Sequence, residues 1–107
     1  MPIHTNNLTL KMKRDFAEVL MKEIEKLIAV EKPSDDKDKL LLMTLNDVGW
    51  IIYKRLASNV IDFSIKVSAT QSMALRSMYT DYICDPTSWF GNGMHRIANH
   101  VHKQINY

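Results

Sequence analysis

The chain has 107 residues, of which 46% are hydrophobic and 24% are charged. This length and this composition predict a single folded domain over residues 1–107 and exclude a disordered chain. Three glycines and three prolines are too few for a β-sandwich or barrel with frequent turns, and a single cysteine excludes a disulfide framework. The formal net charge of +2 is too small to indicate a nucleic-acid partner by itself.

The first predicted element is an amphipathic helix over residues 9–31. Apolar residues recur there at helical spacing, with lysine, glutamate and aspartate between them: Phe16, Leu20, Ile24, Leu27 and Ile28. Pro33 predicts that this helix ends near Val30, because the residue before a proline is disfavoured in helical conformation.

A second, central helix is predicted to begin at residue 36. Ser34, Asp35 and Asp36 have side chains suited to cap its N-terminus. From Lys39 onward the surface of this helix is apolar almost all round, so we expect it to be packed on several sides. The charged residues of this central helix make it unsuited to cross a membrane.

Residues 61–67 are ambiguous between helix and strand. Apolar and polar residues alternate from Ile61 to Ser68, as in a half-buried strand. The apolar stripe of the central helix nevertheless continues through Phe63 and Val67, with no glycine or proline to end it after residue 50. We favour the helix, which makes the central helix continuous over residues 36–67. A short strand at 61–67 is the alternative.

The length of that central helix predicts a homodimer. Its 32 residues would span about 48 Å at 1.5 Å per residue. A compact domain of this size has a radius of gyration of about 13 Å, so the helix would project from it. A projecting apolar helix needs a partner, and a second copy of the same chain is the simplest one.

The remaining elements are predicted to be helices around one loop. Ser68 and Gln71 match a capping box that opens a helix over 69–84. A loop rich in turn residues follows at 85–93, where Gly91 and Gly93 predict a tight turn with positive φ. A last helix is expected over 93–106. The predicted fold class is therefore all-α, a bundle of four or five helices with a long central helix. The strand alternative gives an α+β fold.

DNA binding is the second functional hypothesis. With a strand at 61–67, the order strand, helix 69–84, turn and helix 93–106 resembles ribbon-helix-helix proteins in outline. The resemblance implies a dimer whose paired strands enter the major groove with Asp62, Ser64 and Lys66. A basic C-terminal segment gives another route to nucleic acid, because no acidic residue follows Asp85. The candidate contacts on these two routes are Lys66, His95, Arg96, His100, His102 and Lys103.

We find no constellation of catalytic or metal-binding residues. His95 and His102 would lie about 10.5 Å apart along a helix, which is too far for them to share a zinc ion. The segment 91–93 is too short for a phosphate-binding glycine motif. The sequence therefore predicts a protein that is not an enzyme and has no cofactor and no bound metal.

The leading hypothesis is a non-enzymatic helical module that docks on a larger protein, as an accessory subunit, a regulator or an inhibitor. Two observations support it: the sequence has only weak catalytic motifs, and it has more apolar helix surface than so short a chain is expected to bury. Trp50 and Tyr53 on the central helix, with Trp89 and Phe90 in the loop, are the candidate contacts, because aromatic residues are favoured at interface hot spots. With no readable signal peptide and no membrane span, we expect a cytoplasmic protein without a membrane partner.

Overall fold

The computed structural model describes residues 8–32, 34–58, 62–83 and 85–105. This part of the chain contains four α-helices, one short π-helix and a two-stranded sheet. In chain order the elements are β1 (Leu8–Lys13), α1 (Arg14–Val30), α2 (Asp36–Leu56), β2 (Asp62–Val67), α3 (Ala69–Met78), the π-helix (Tyr79–Ile83) and α4 (Trp89–Ile105). The prediction of a mostly helical chain is confirmed.

The chain divides into two compact units. The hairpin unit is Lys11–Ile65, and the C-terminal unit combines the residues up to Leu10 with those from Lys66 onward. The boundary falls within both strands, which pair with each other in one sheet. The expectation of a single domain over 1–107 stays a prediction.

The hairpin unit is built on α1 and α2, which pack against each other. Each helix buries apolar residues that recur every three or four positions: Phe16, Ala17, Leu20 and Ile24 in α1, and Leu42, Leu45, Val48 and Ile52 in α2. The predicted cap of α2 is confirmed, because the Asp35 carboxylate accepts a hydrogen bond from the backbone N–H of Asp38 at 2.8 Å.

Arg14, the first residue of α1, binds the end of α2. Its guanidinium donates hydrogen bonds to the carbonyl oxygens of Leu56 at 2.8 Å and Ser58 at 2.5 Å. Its Nε also lies 3.3 Å from a carboxylate oxygen of Glu18. The last carbonyl groups of a helix have no partner within the helix, so Arg14 satisfies two acceptors that would otherwise need water. Since the start of α1 meets the end of α2, the two helices are antiparallel.

A strand, β1, occupies the beginning of the helix predicted over 9–31. The segment alternates apolar and polar residues, and Leu10 is buried between the exposed Thr9 and Lys11. Pairing with β2 supplies its backbone hydrogen bonds, and the local sequence does not reveal that distant partner. The predicted end of the helix near Val30 is confirmed. Pro33, which was expected to cause that end, lies outside the described residues.

The predicted continuous helix over 36–67 is wrong. α2 ends at Leu56 and a strand, β2, begins at Asp62, so the observed structure is the strand alternative, with residue 61 outside the description. Ile65 and Val67 are buried and Lys66 between them is exposed, which is the period of two of a half-buried strand.

This shorter helix removes the argument by which the sequence predicted a homodimer. α2 has 21 residues, so it is about 32 Å long at 1.5 Å per residue, and the projecting helix of 32 residues does not form. The strand pairing also differs from that of a ribbon-helix-helix dimer, because β2 pairs with β1 of the same chain. A second copy is therefore not needed to complete this sheet.

In the C-terminal unit, α3 begins with the predicted capping box. The Ser68 hydroxyl accepts the N–H of Gln71, and the Gln71 side chain accepts the N–H of Ser68. α3 continues directly into the π-helix and packs against α4. Residues of both helices are buried: Ser72, Ala74, Leu75 and Met78 in α3, and Met94, Ile97, Ala98 and Val101 in α4.

The loop predicted at 85–93 is shorter in the structure, because α4 begins at Trp89. The Ser88 hydroxyl accepts the backbone N–H of Gly91 at 2.9 Å and so caps this helix. Gly91 is buried inside the first turn of α4 and has no positive φ, so the prediction of a tight turn at this glycine is wrong.

Candidate functional site

The outward face of α2 carries four large apolar side chains that solvent reaches. The exposed fraction is 61% for Leu40, 67% for Met43, 55% for Trp50 and 59% for Tyr53. The buried residues of α2 lie on its opposite face, since helical spacing places them about half a turn away. Single exposed apolar residues are common on protein surfaces, whereas a group of them on one face indicates an interaction surface.

Helical spacing places these four residues in one stripe, which we call the α2 stripe. Met43 and Trp50 are seven residues apart, about two turns, and therefore lie nearly in line. Leu40 and Tyr53 lie at the two ends, one on each side of that line. The α2 stripe is about 20 Å long at 1.5 Å per residue.

Trp50 and Tyr53 contact each other edge to face. Their ring centroids are 5.6 Å apart and their ring planes meet at 85°. This arrangement is the one that aromatic pairs favour. It restricts both side chains before any partner arrives, which lowers the entropy cost of binding.

Polar side chains are interspersed with the apolar residues of the α2 stripe. Five of them are exposed on the same side of the helix: Asp36, Lys39, Asn46, Asp47 and Lys54. Within the described part of the chain, none of the four charged members forms an ion pair. At 3.6 residues per turn all five lie within the arc between Leu40 and Tyr53, so this face of α2 is mixed in polarity and has no purely apolar centre.

The structure places both sequence-predicted residues of the central helix, Trp50 and Tyr53, in the α2 stripe. It adds Leu40 and Met43, which the sequence analysis missed, although Met43 lies one seven-residue step before Trp50. The sequence predicts a helix packed on several sides, whereas these four positions are exposed. That they contact a partner stays a prediction.

The other two predicted contact residues, Trp89 and Phe90, belong to the C-terminal unit. They form the start of α4 and do not lie in a loop. The Trp89 side chain is 58% exposed, and Phe90 is partly buried. The four predicted aromatic residues therefore belong to two different units, two in each.

His95 of α4 is held between Tyr79 and Asn99. Its Nδ1 lies 3.0 Å from the Tyr79 hydroxyl, and its Nε2 lies 3.2 Å from the side-chain nitrogen of Asn99. The tautomer of the ring decides which nitrogen donates in each of these two pairs. Both ring nitrogens are thus engaged, which makes His95 a weaker candidate for contact with nucleic acid than the sequence predicts.

Three of the predicted nucleic-acid contacts share the outer face of α4. Arg96, His100 and Lys103 are exposed there, opposite the buried residues of the helix. Trp89, Arg96 and Lys103 recur every seven residues and so lie close to one line. The other predicted residues lie elsewhere, since exposed His102 is at the edge of this face and exposed Lys66 is on β2.

The Asp85 carboxylate organises the turn before α4. It accepts hydrogen bonds from the Thr87 hydroxyl at 2.5 Å and from the Thr87 backbone N–H at 2.9 Å. These bonds, the hydroxyl bond most strongly, lower the pKa of Asp85 below its ordinary value. The side chain is exposed, and the arrangement matches the Asx turns that precede helices.

Two further searches of the described residues concern metals and membranes. No group of three or more histidine, cysteine, aspartate or glutamate side chains there is arranged to hold a metal ion. None of the helices described combines the length and hydrophobicity that crossing a bilayer requires.

Comparisons with protein-family models, with curated proteins and with solved structures find no match for this chain.

Proposed function

We propose that the chain is a cytoplasmic, non-enzymatic helical module that binds another protein through the α2 stripe, as an accessory subunit or regulator. The observation that carries this proposal is the exposure of four large apolar side chains on one face of a single helix. Two of them, Trp50 and Tyr53, are of the residue types that contribute most to interface hot spots. A single cysteine cannot form a disulfide within the chain, which fits the proposed cytoplasmic placement.

The apolar area of the α2 stripe is large enough for a modest affinity for a partner protein. Full burial of a large apolar side chain stabilises by about 1.5–3 kcal/mol. Since each of the four is already partly covered, docking removes roughly half of that area from water and gains about 1 kcal/mol per residue. The partner's own apolar surface adds a similar amount, and the loss of translational freedom offsets part of the total.

Photo-crosslinking at Tyr53 tests this function. A chain with Tyr53→p-benzoylphenylalanine, expressed in its own cells, should give a discrete covalent adduct on irradiation. The same label at Glu25, which is exposed on α1 outside the α2 stripe, is the matched control and should not give that adduct. With the partner purified, Trp50→Ala should weaken binding by more than about 1 kcal/mol. Equal labelling from both positions, or unchanged affinity, would contradict the proposal.

Nucleic-acid binding is a second candidate function, favoured by one observation on α4. Trp89, Arg96 and Lys103 lie near one line on its outer face, and no acidic residue occurs from position 86 onward. Arginine and lysine bind phosphate groups, and an aromatic side chain in the same row can stack on a base.

Fluorescence anisotropy of a labelled random DNA duplex, at 50 and 200 mM salt, tests this second candidate. The double variant Arg96→Ala/Lys103→Ala should lose affinity and reduce the slope of log affinity against log salt by about 1.8. Lys22→Ala, on the exposed surface of α1, is the control and should change neither quantity. No binding at low salt, or an equal effect of the control, would reject nucleic acid as the partner.

A further inference from the structure

We propose that the nucleic acid bound by the outer face of α4 is single-stranded, with one unpaired base stacked on Trp89 and phosphate groups held by Arg96 and Lys103. This inference rests on nucleic-acid binding, the second candidate function, and names the class of nucleic acid. It uses only residues of the C-terminal unit.

The outer face of α4 is polar and basic, and α4 contains no acidic residue. At 3.6 residues per turn, six exposed residues fall within an arc of about 100° opposite the buried side of the helix: Trp89, Asn92, Arg96, Asn99, His100 and Lys103. Within the described ranges neither Arg96 nor Lys103 forms an ion pair. Both side chains are therefore available to bind phosphate groups.

A surface of anionic lipids fits this face less well than a nucleic acid does. Helices that lie in a membrane interface insert an apolar face between the lipids. In α4 the apolar side chains of Met94, Ile97 and Val101 are already buried in the protein. Among the described residues of α4, Trp89 is the only large apolar side chain that is exposed, so a single side chain would insert.

The ring of Trp89 favours a single strand over a duplex. Its side chain is 58% exposed, which leaves a surface on which a base can stack. A base stacks on an indole only where its own face is uncovered, as in an unpaired strand. In a duplex the neighbouring pairs cover each base, and unstacking a base costs about as much as its contact with Trp89 returns. A duplex therefore binds through Arg96 and Lys103 alone.

The charges along α4 separate the base contact from the phosphate contacts. Arg96 and Lys103 lie about 10.5 and 21 Å from Trp89 along the helix axis. The exposed carboxylate of Asp85, in the turn directly before α4, repels phosphate groups near Trp89 but not a neutral base. A strand of about six nucleotides spans the row at the stacked spacing of 3.4 Å per phosphate.

Tryptophan emission of the full chain tests the stacking. The chain is titrated at 50 mM salt with an oligothymidylate about twelve nucleotides long and with a DNA duplex of the same length. The single strand should quench part of the emission and the duplex should not, because only an unpaired base reaches Trp89. Trp89→Phe keeps a ring for stacking and should bind the single strand to within about three-fold of wild type. It should lose the quenching, since Trp50 alone then emits.

Fluorescence anisotropy of the same two oligonucleotides, labelled, measures the affinities, with circular dichroism to verify that each variant folds. Trp89→Ala should weaken binding of the single strand about ten-fold and leave binding of the duplex unchanged. Arg96→Ala/Lys103→Ala should weaken both and reduce the salt slope for the single strand by about 1.4. Lys22→Ala on α1 is the control and should change none of these quantities.

A single strand that binds without quenching, or equal effects of Trp89→Ala on single strand and duplex, would overturn this inference. Loss of duplex binding in Arg96→Ala/Lys103→Ala would then still leave nucleic-acid binding by α4 standing. No binding of either oligonucleotide at 50 mM salt would reject both. Quenching by vesicles of equal parts phosphatidylserine and phosphatidylcholine, without quenching by the oligothymidylate, would also reject both and identify a lipid surface as the partner.

Discussion

The carbonyl oxygen of Asp85 lies where a Cβ atom at Gly91 would be, with the Ser88 hydroxyl also in close contact with that position. Gly91 is therefore required for the approach of the preceding turn to α4 and not for an unusual φ angle. We expect Gly91→Ala to destabilise the fold by about 3 kcal/mol, because backbone atoms and not a flexible side chain must move. Urea unfolding followed by circular dichroism measures this loss, and wild-type stability in the variant would contradict the geometry.

At Gly49, within α2, alanine should stabilise the fold, in contrast to alanine at Gly91. A Cβ atom there would meet the Cγ2 atom of Ile24 at 3.6 Å, which is an ordinary van der Waals contact. Alanine is more favourable than glycine in a helix interior by about 0.5–1 kcal/mol. We therefore expect Gly49→Ala to raise the free energy of unfolding by about that amount. A loss of stability in the same urea assay would mean that α1 and α2 lie closer together than the structure shows.

Arg14 should stabilise the hairpin unit through its bonds to the end of α2. Arg14→Met keeps most of the aliphatic stem but leaves the carbonyl groups of Leu56 and Ser58 to solvent. We expect a loss of about 1–2 kcal/mol in the free energy of unfolding, because the guanidinium is partly exposed and its hydrogen bonds compete with water.

Glu18→Gln is the matched control for Arg14. It removes the exposed ion pair with Arg14 but leaves both carbonyl bonds, so its effect should stay below about 0.5 kcal/mol. If the two variants lose equal stability in chemical denaturation, the ion pair and not the bonds to α2 would be the stabilising interaction.

The pKa of Asp85 depends on Thr87. Thr87→Val removes the hydroxyl whose hydrogen bond lowers the pKa of Asp85 most strongly, so this pKa should rise toward its ordinary value. Thr87→Ser keeps the hydroxyl and should keep the pKa low. An NMR titration of the Asp85 carboxyl carbon measures both, and an unchanged pKa in the valine variant would show that the hydroxyl bond does not form in solution.

The same hydrogen bonds make the turn before α4 sensitive to acid. Because the pKa of Asp85 is lowered in the folded state, its contribution to stability is fully present above the unfolded value of about 4. That contribution is lost as the pH falls from there through the lower folded pKa. The stability of the Thr87→Val variant should therefore depend less on pH in this acid range than the stability of the wild-type chain.

The predicted helix caps are confirmed because their hydrogen bonds join residues three positions apart. Asp35 with Asp38, and Ser68 with Gln71, form bonds that the local sequence alone specifies. The sheet is different, because β1 and β2 are more than forty residues apart along the chain. The alternation at 8–13 and 62–67 is visible in the sequence, but only pairing of the two segments makes the strand more stable than a helix.

The candidate site was partly predictable for a related reason. Trp50 and Tyr53 are conspicuous by residue type, but α2 is apolar on more than one face. Only the packing of α1 shows which of those faces is buried and which is left to solvent. The start of α4 was missed because Gly91 resembles a turn residue, although Ser88 is a good capping residue before it.

The antiparallel arrangement of α1 and α2 has a consequence for the order of folding events. Only residues 31–35 separate the two helices, so their pairing closes a short loop at small entropic cost. Because β1 directly precedes Arg14 and β2 follows the end of α2, the contact of Arg14 with that end brings the two strand segments close to each other. The strands then join late, and Leu10→Ala should accelerate unfolding in stopped-flow experiments while it leaves the rate of folding nearly unchanged.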